Sequence, residues 1–223
     1  MKKLLLSLTV LLSSFYSVLG QHKIVLPDID SVYFATYGFH MPDNSSPPNL
    51  DVLLIQKEFN NLYIEYSKKM HKIGKIDSSL EPAVTFHTEY LRKNYLSLSD
   101  FKLINDKIDK ENTHYEKEKE YSYIDDRINN ISNVISMYYG EIIEFIHLPT
   151  YKHEFSNKKY VKITEKEVAQ IMFDGFLNSP SHKKIMDDKR SNHFYTKIIQ
   201  DGHNFVIMVD FRSEEHTSEL QSL

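Results

Sequence analysis

Residues 164–182 read TEKEVAQIMFDGFLNSPSH, and this stretch marks two helices and the break between them. Thr164 followed by Glu167 is a capping box, in which a hydroxyl residue and an acidic residue three positions later begin a helix. Apolar side chains then recur at helical spacing, at Val168, Ile171, Met172 and Phe176. Ser179 before Pro180 predicts a further short helix, with Ser at the N-cap and Pro in the first position.

Strands are predicted on both sides of this helical pair. The segment from Gly140 to His147, GEIIEFIH, is a mostly apolar run with the length of a buried strand. Two more strands are predicted over 193–199 and 204–211, joined by a turn at Asp201-Gly202. The last strands therefore form a hairpin.

The region before the first strand is expected to be mainly helical. Apolar and aromatic side chains recur at helical spacing over 50–74, which ends at a glycine, a natural helix stop. A second helix is predicted over about 80–95, where Pro82 falls in the first turn and is tolerated.

The segment between the second helix and the first strand is less regular. The polar, charged stretch 98–126 is interpreted as irregular, and a short helix is predicted over 126–138. The inward-facing positions of that short helix are Ile128, Ile131, Val134 and Ile135. Helices and strands do not alternate in the repeated units of a parallel sheet, so the pattern favours an α+β domain.

The first 20 residues have the layout of a secretory signal peptide, with two lysines ahead of an apolar run at 4–12. That run is shorter than the roughly 20 apolar residues that span a bilayer, so we expect no transmembrane segment. We expect cleavage after Gly20 and a secreted or periplasmic protein. Residues 21–49 contain several prolines and are interpreted as an N-terminal extension or linker.

The other end of the chain is expected to lie outside the fold. Residues 212–222 read RSEEHTSELQS, which is similar to the translation of a widely used sequencing adapter. We therefore interpret 212–223 as an assembly artefact and place the folded domain at 50–211.

The composition of the chain argues against nucleic-acid binding and against a disulfide-stabilised fold. The net charge is −4 and the charges are interspersed, which gives no basic face for nucleic acid. The chain has no Cys, so its core has to supply stability without disulfides, and its 13 Phe and 15 Tyr make this plausible. A single domain is expected at this length.

Five short motifs follow one another along the chain. They are the helix from Leu80, THY at 113–115, DRI at 126–128, YGEII at 139–143 and FLNSPSH at 176–182. In this order they resemble the CAP superfamily (cysteine-rich secretory proteins, antigen 5 and pathogenesis-related 1, or SCP domain), in its bacterial form. FLNSPSH resembles the family signature with an aromatic residue shortly before Ser-Pro-Gly-His, YGEII its Gly-Glu-Asn-Ile box, and DRI the Asp-Arg-Ile before that box. THY lies where the family has its first His, and the helix from Leu80 resembles the segment after the family's opening helix.

The resemblance covers about residues 50 to 211 and implies an α-β-α sandwich, with helices on both faces of a small antiparallel sheet. It also implies a cleft formed by His114, Glu141 and His182. Four features depart from the family pattern. Phe176 replaces the usual Trp, and Ile142 replaces Asn. The stretch 192–196 has no Gly, and the second Glu of the eukaryotic site has no clear match, with Asp174 the nearest acid.

The implied cleft has more than one possible chemistry. Neutral imidazoles at His114 and His182, with a carboxylate at Glu141, are ligands that suit a divalent metal such as zinc. At acidic pH, with the histidines protonated, the same three residues can bind an anion. Each residue also has a structural interpretation: His182 can cap a helix, Glu141 can bond to backbone N–H groups, and His114 can be solvated.

Three functions follow from this. The leading hypothesis is a non-catalytic secreted binding module for a divalent metal, a small apolar ligand such as a lipid, or an extracellular or envelope protein partner. The first alternative is a metal-dependent hydrolase in which zinc activates water and Glu141 is the base. The second is a structural secreted protein with a vestigial cleft. The sequence has no His-Glu-x-x-His, no Gly-x-Ser-x-Gly and no Cys nucleophile, which favours binding over hydrolysis.

Overall fold

The structure is a computed structural model that describes residues 46–116, 121–154 and 159–213. Within these ranges the helices are α1 Val52–Lys69, α2 Glu81–Asn94, α3 Phe101–Ile108, α4 Ile124–Arg127, α5 Glu165–Asn178 and α6 Pro180–Asp187. The strands are β1 Lys75–Ile76, β2 Tyr139–His147, β3 Tyr151–Glu154, β4 Lys159–Lys162, β5 His193–Asp201 and β6 Asn204–Arg212. The predicted signal peptide and most of the predicted extension and tail lie outside the described residues.

The main sheet has four strands in the order β1-β5-β6-β2. β5, β6 and β2 are antiparallel neighbours, as predicted, whereas β1 pairs parallel to β5 through Lys75 and His193. The predicted antiparallel sheet is thus present, and the two-residue β1 adds a parallel pairing at its edge. A two-residue strand is too short to show a periodic pattern in the sequence. β3 and β4 form a separate hairpin.

Helices cover both faces of this sheet, because side chains along each strand alternate between two apolar clusters. From β2, Ile142 and Ile146 belong to the cluster that includes α1 and α5 side chains, such as Phe59 and Phe176. Ile143 belongs to the cluster that includes α2 side chains. The predicted α+β class and the α-β-α sandwich are confirmed.

Several predicted elements agree closely with the structure. α5 begins at the predicted capping box, with Thr164 as N-cap, and β2 covers the predicted strand. Ser179 is the N-cap residue of α6, as predicted, but its side chain makes no capping hydrogen bond. In the β5–β6 hairpin the loop is Gly202-His203, one residue later than predicted, because Asp201 pairs with Asn204. Gly202 has φ +62°, a conformation that glycine adopts at no steric cost.

The charged region before β2 is more ordered than predicted. The stretch interpreted as irregular contains α3, which Asp100 caps by accepting from the Lys102 backbone N–H at 2.8 Å. Its inner face consists of Phe101, Ile104 and Ile108 at helical spacing, and the high charge of the other positions accounts for the irregular interpretation. The helix predicted over 126–138 is instead α4 followed by a π-turn at Ile128–Ser132, and Asn133 ends it with φ 51°. Ile135, predicted to face inward, is 74% exposed.

The last strand extends one residue beyond the predicted domain boundary. Arg212 pairs with Tyr139 in the sheet, and its Nε lies 2.6 Å from Asp77 Oδ2. Arg212 therefore contributes to the described fold. Across the residues that the structure describes, no helix is long and apolar enough to cross a membrane.

Candidate functional site

Glu141 is the centre of a buried polar network at the start of β2. Its neighbours Ile142 and Ile143 face opposite clusters, and the alternation places Glu141 on the α2 face of the sheet, with Ile143. Its side chain is 3% exposed. Asp210 of β6 lies directly opposite Glu141 in the sheet register.

Both carboxylate oxygens of Glu141 have close cationic or polar partners. Oε2 accepts from Arg127 Nη2 at 2.5 Å, and Oε1 accepts from His114 Nδ1 at 2.8 Å. His87 Nε2 lies 4.0 Å from the same Oε1. Burial alone would raise the pKa of Glu141, but the charges of His87 and Arg127 and the hydrogen bond from His114 lower it to about 2. Glu141 is therefore a carboxylate at neutral pH.

Arg127, at the end of α4, joins Glu141 to the chain segment just before it. The residue is fully buried. Its Nη1 donates to the carbonyl oxygens of His114, Tyr121 and Ser122 at 3.4, 3.3 and 3.2 Å. One guanidinium thus holds both the β2 carboxylate and the backbone around residue 114, which is the structural role expected of a buried arginine.

His87, on the inner face of α2, holds the same segment from the other side. Its Nδ1 lies 2.6 Å from Glu116 Oε1, and its Nε2 lies 2.9 Å from the carbonyl oxygen of Thr113. A carbonyl only accepts, so Nε2 carries a proton, and a second proton has to lie between Nδ1 and the Glu116 carboxyl. The His87–Glu116 pair thus shares a proton close to Glu141.

His114 is the member of the network that reaches solvent, with 41% of its side chain exposed. The carboxylate partner assigns the proton to Nδ1, because Glu141 can only accept. No hydrogen bond to Nε2 is formed within the described part of the chain. An imidazole that is oriented by a carboxylate and half exposed to solvent can present its Nε2 to a ligand.

Asp210 supplies a second buried carboxyl next to Glu141. Burial, and then the negative charge of Glu141, raise its pKa well above the usual range, and Arg127 offsets this only in part. Neither oxygen of Asp210 has a hydrogen-bond partner of good geometry among the described residues. Asp210 therefore favours its neutral form. Of the two neighbouring carboxyl groups, only Glu141 is ionised, and its negative charge balances the positive charge of Arg127.

Only two of the three predicted cleft residues are in contact. His114 and Glu141 are hydrogen-bonded on the α2 face, whereas His182 is buried on α6. The His182 ring packs edge-on against Phe176 of α5 at 5.2 Å, and Phe176 belongs to the opposite apolar cluster. The sheet therefore separates the layer of His182 from the layer of Glu141.

The donor set does not match a zinc site. Zinc in catalytic sites takes about three protein ligands, and both oxygens of Glu141 are already bonded to His114 and Arg127. Within the described ranges no group of three or more His, Cys, Asp or Glu side chains could hold a metal ion. Metal binding by His114 and His182 stays a prediction that elemental analysis can test.

A small cavity lies beside the network. It has a volume of about 230 Å³ and is lined by Tyr90, Tyr95, Glu111, Asn112 and Tyr115. The Tyr90 ring stacks on His87, with centroids 5.7 Å apart and planes at 10°. Asn112 also accepts from the His114 backbone N–H through Oδ1 at 3.0 Å. We call residues 112–116 the pinned loop, since the network bonds to them and two of them line the cavity.

Sequence reasoning found His114 and Glu141 through motifs, but it missed His87, Glu116 and Asp210. His87 stands on the apolar face of α2 between Ala83 and Leu91, at intervals of four residues. A polar residue on a buried stripe needs a partner, and this is the signal that the sequence contains. Glu116 and Asp210 carry no comparable signal.

The fold and site together define an α-β-α sandwich of the kind that the CAP resemblance implies, with a buried carboxylate network at the start of β2. No protein-family profile matches the sequence, and no curated protein matches it.

Solved structures do match. An outer surface protein from Borrelia burgdorferi is similar with a TM-score of 0.50 and 16% identity, over 76% of this chain and 99% of that chain. An extracellular protein containing a SCP domain from Bacillus anthracis str. Ames is similar with a TM-score of 0.47 and 14% identity, over 72% of this chain. The match spans 40% of that second chain. At this identity the likeness to the Borrelia protein shows a shared fold and nothing further.

Proposed function

We propose that this chain is a secreted or surface-exposed, non-catalytic binding module with a CAP-type fold. In this proposal the cavity beside the pinned loop binds a small ligand, and the Glu141 network keeps the loop in its binding conformation. The signal-like leader supports an extracellular location, as does the structural neighbour described as an outer surface protein.

The state of Glu141 is the observation that carries the proposal. A general base works best with a pKa near the working pH, and the pKa of Glu141 is lowered to about 2. Its oxygens are bonded to His114 and Arg127, and its side chain is 3% exposed. A carboxylate in this state orients its partners instead of taking protons from water, which supports binding over hydrolysis.

The alternative of a purely structural protein is less well supported, because of the half-exposed His114 and the cavity. Glu141 orients the His114 imidazole at the surface, close in sequence to residues that line the cavity, and this arrangement favours binding. The pinned loop places His114 and the cavity residues Asn112 and Tyr115 within a few residues of each other.

Protein-observed NMR with a panel of small aromatic, cationic, anionic and aliphatic compounds tests the proposal. We expect at least one class to shift the amide signals of 112–116 and the ring signals of His114, while the signals of α5 stay unchanged. No perturbation of the pinned loop by any class would contradict it.

Assays with ester, amide and phosphodiester substrates, with and without added zinc chloride, test the hydrolase alternative. We expect no turnover above that of the Glu141→Gln variant. Turnover by the wild type that this variant lacks, with the variant still folded, would favour the hydrolase.

A further inference from the structure

The cavity beside the pinned loop has walls that favour a cation. Tyr90, Tyr95 and Tyr115 supply three aromatic rings, and Glu111 and Asn112 supply the polar groups. The face of a tyrosine ring carries negative electrostatic potential and attracts cations within about 6 Å of its centroid. Three tyrosines, a carboxylate and an amide thus line one space, and this is the composition of an aromatic cage.

The charges around the cavity reinforce this preference. Burial raises the pKa of Tyr90, and the negative charges of Glu116 and Glu111 raise it further. Burial and the negative charge of Glu111 also raise the pKa of Tyr95. The phenol groups of Tyr90 and Tyr95 therefore stay neutral at pH 7, and the negative charge near the cavity comes from the carboxylates of Glu111 and Glu116.

The chain already places one of its own cations on a ring of this wall. Lys107 Nζ lies 4.9 Å from the centroid of Tyr95. The same ammonium donates to the carbonyl oxygen of Asn94 at 2.8 Å and lies 4.0 Å from Glu111 Oε2. Tyr95 thus attracts a cation in this structure, and Lys107 competes with any external cation for it.

The size and polarity of the cavity restrict the ligand. Its volume of about 230 Å³ is below the roughly 300 Å³ at which pockets for drug-sized molecules begin. The lining is mostly aromatic and offers few hydrogen-bond acceptors, so it favours a cation that needs few hydrogen bonds. A compact, methylated ammonium meets both conditions.

We infer that the cavity lined by Tyr90, Tyr95, Tyr115 and Glu111 binds a small quaternary ammonium group, either free or as the head group of a lipid. This inference rests on the proposed binding function and names its ligand class.

Isothermal titration of the purified chain with choline, tetramethylammonium and 3,3-dimethylbutan-1-ol tests it. The alcohol has the shape of choline without the charge. We expect choline to bind at least about tenfold more tightly than the alcohol. Equal or tighter binding of the alcohol would overturn the cation inference and leave the binding function standing. If neither choline nor the alcohol binds, while another compound class shifts the NMR signals of the pinned loop, the cation inference is also overturned and the binding function stands.

Variants of the cavity residues distinguish binding by the aromatic rings from a general attraction of the cation to negative charge. Tyr115→Leu should weaken choline binding about tenfold, while Tyr115→Phe, which keeps the ring, should retain it. Lys107→Gln should strengthen binding by removing the competing ammonium. Lys102→Gln makes the same change in net charge on the same helix, where Lys102 pairs with Asp106, and should have no such effect. Unchanged binding in Tyr115→Leu, or equal effects of the two lysine changes, would overturn the inference.

The source of the ammonium group is resolved by comparing free choline with phosphatidylcholine vesicles. Vesicle binding that choline competes away indicates a lipid head group. Binding of choline without binding of vesicles indicates a free solute. Vesicle binding that choline does not affect, and that Tyr115→Leu leaves intact, would contradict the cage.

Discussion

Glu141 and Asp210 are paired across β2 and β6, but the first is ionised and the second is neutral. Glu141 is bonded to Arg127 and His114, and its pKa is lowered to about 2. Asp210 has no such partner among the described residues, and its burial and the nearby negative charge of Glu141 raise its pKa. One buried arginine can compensate one carboxylate, and the second carboxyl stays neutral because ionising it would leave a buried charge uncompensated.

The matched variants Glu141→Gln and Asp210→Asn test this difference. Glu141→Gln leaves Arg127 buried without its counter-charge and should lower the free energy of unfolding by about 3–5 kcal/mol. Asp210→Asn replaces a neutral carboxyl by a neutral amide and should cost less than about 1 kcal/mol. Urea denaturation at pH 7 measures both. Similar costs for the two changes would show that the charge states are assigned wrongly.

Glu144, on the other face of β2, makes the unfolding free energy depend on pH. Its Oε2 is enclosed without a hydrogen-bond partner among the described residues, and burial raises the pKa of Glu144 to about 8. In the unfolded chain the pKa is near 4.5, so between these values the folded state binds more protons. The contribution of Glu144 to the unfolding free energy should therefore be largest below about pH 4.5 and should decrease as the pH rises to about 8.

Glu144→Gln should remove this part of the pH dependence and stabilise the protein at pH 8 more than at pH 5. Urea denaturation of the variant and the wild type at both pH values gives the comparison. A variant that is equally or more destabilised at pH 8 would mean that Glu144 is ionised in the fold.

At the scale of elements, two helices begin with hydroxyl residues that have different roles. Thr164 Oγ1 accepts from the Glu167 backbone N–H at 3.4 Å, and the Glu167 carboxylate accepts from the Thr164 backbone N–H at 3.0 Å. Ser179 occupies the N-cap of α6, but its hydroxyl contacts Ser181 Oγ at 3.2 Å and caps nothing. The same sequence signal thus produces a capping bond in one helix and none in the other.

Thr164→Ala should therefore cost about 1 kcal/mol, the usual value of a capping side chain. Ser179→Ala is the matched control and should change stability by less than about 0.5 kcal/mol. Thermal unfolding followed by circular dichroism distinguishes the two. A larger loss in Ser179→Ala than in Thr164→Ala would contradict the assignment of the caps.

Elements with a strong local signal could be predicted from the sequence. α5 has a capping box and a wide apolar face, and β2 is a buried strand of nine residues. α3 has a local signal as well, with Asp100 as N-cap and apolar residues at 101, 104 and 108, but its many charges favour an irregular interpretation. The two-residue β1 depends on hydrogen bonds to β5. Such tertiary contacts have no local sequence pattern.

The same limit applies to the site. His114 and Glu141 could be found from the order of motifs, and the structure brings them together. His182 belongs to an equally good motif, yet whether its side chain lies above or below the sheet depends on how α6 packs. His87 and Asp210 join the network through α2 packing and strand register, which short motifs do not specify.

At the scale of the whole molecule, the end of β6 is tied to the opposite edge of the sheet. Arg212 Nε lies 2.6 Å from Asp77 Oδ2, and both side chains are mostly shielded from solvent. Asp77 follows β1 directly, so this ion pair joins the last strand to the edge strand.

Shortened chains should show where the domain ends. A chain that ends at Ser213 should keep its unfolding free energy within about 0.5 kcal/mol of the full chain. A chain that ends at Phe211 should lose about 1–3 kcal/mol with the charged hydrogen bond of Arg212. Urea denaturation of the two chains measures this. Equal stability of both would place Arg212 outside the fold, as the adapter-like sequence suggests.

The pinned loop connects the buried network to the binding cavity, and its stability should depend on Glu141. The Glu116 backbone N–H donates to the carbonyl oxygen of Ser122 at 3.0 Å, and the His114 backbone N–H donates to Asn112 Oδ1 at 3.0 Å. Both bonds lie beside the Arg127 and His87 contacts that centre on Glu141. Losing the charge of Glu141 should open this loop locally, before the domain unfolds.

Hydrogen–deuterium exchange of the 112–116 amides in two variants of similar global stability measures this local opening. Phe176→Ala, in the opposite apolar cluster, should cost about 3–5 kcal/mol, close to the cost of Glu141→Gln. We predict that the His114 and Glu116 amides exchange about tenfold faster or more in Glu141→Gln than in Phe176→Ala, while the α5 amides exchange at similar rates in both. Equal exchange of these two loop amides in the two variants would show that Glu141 does not pin the loop.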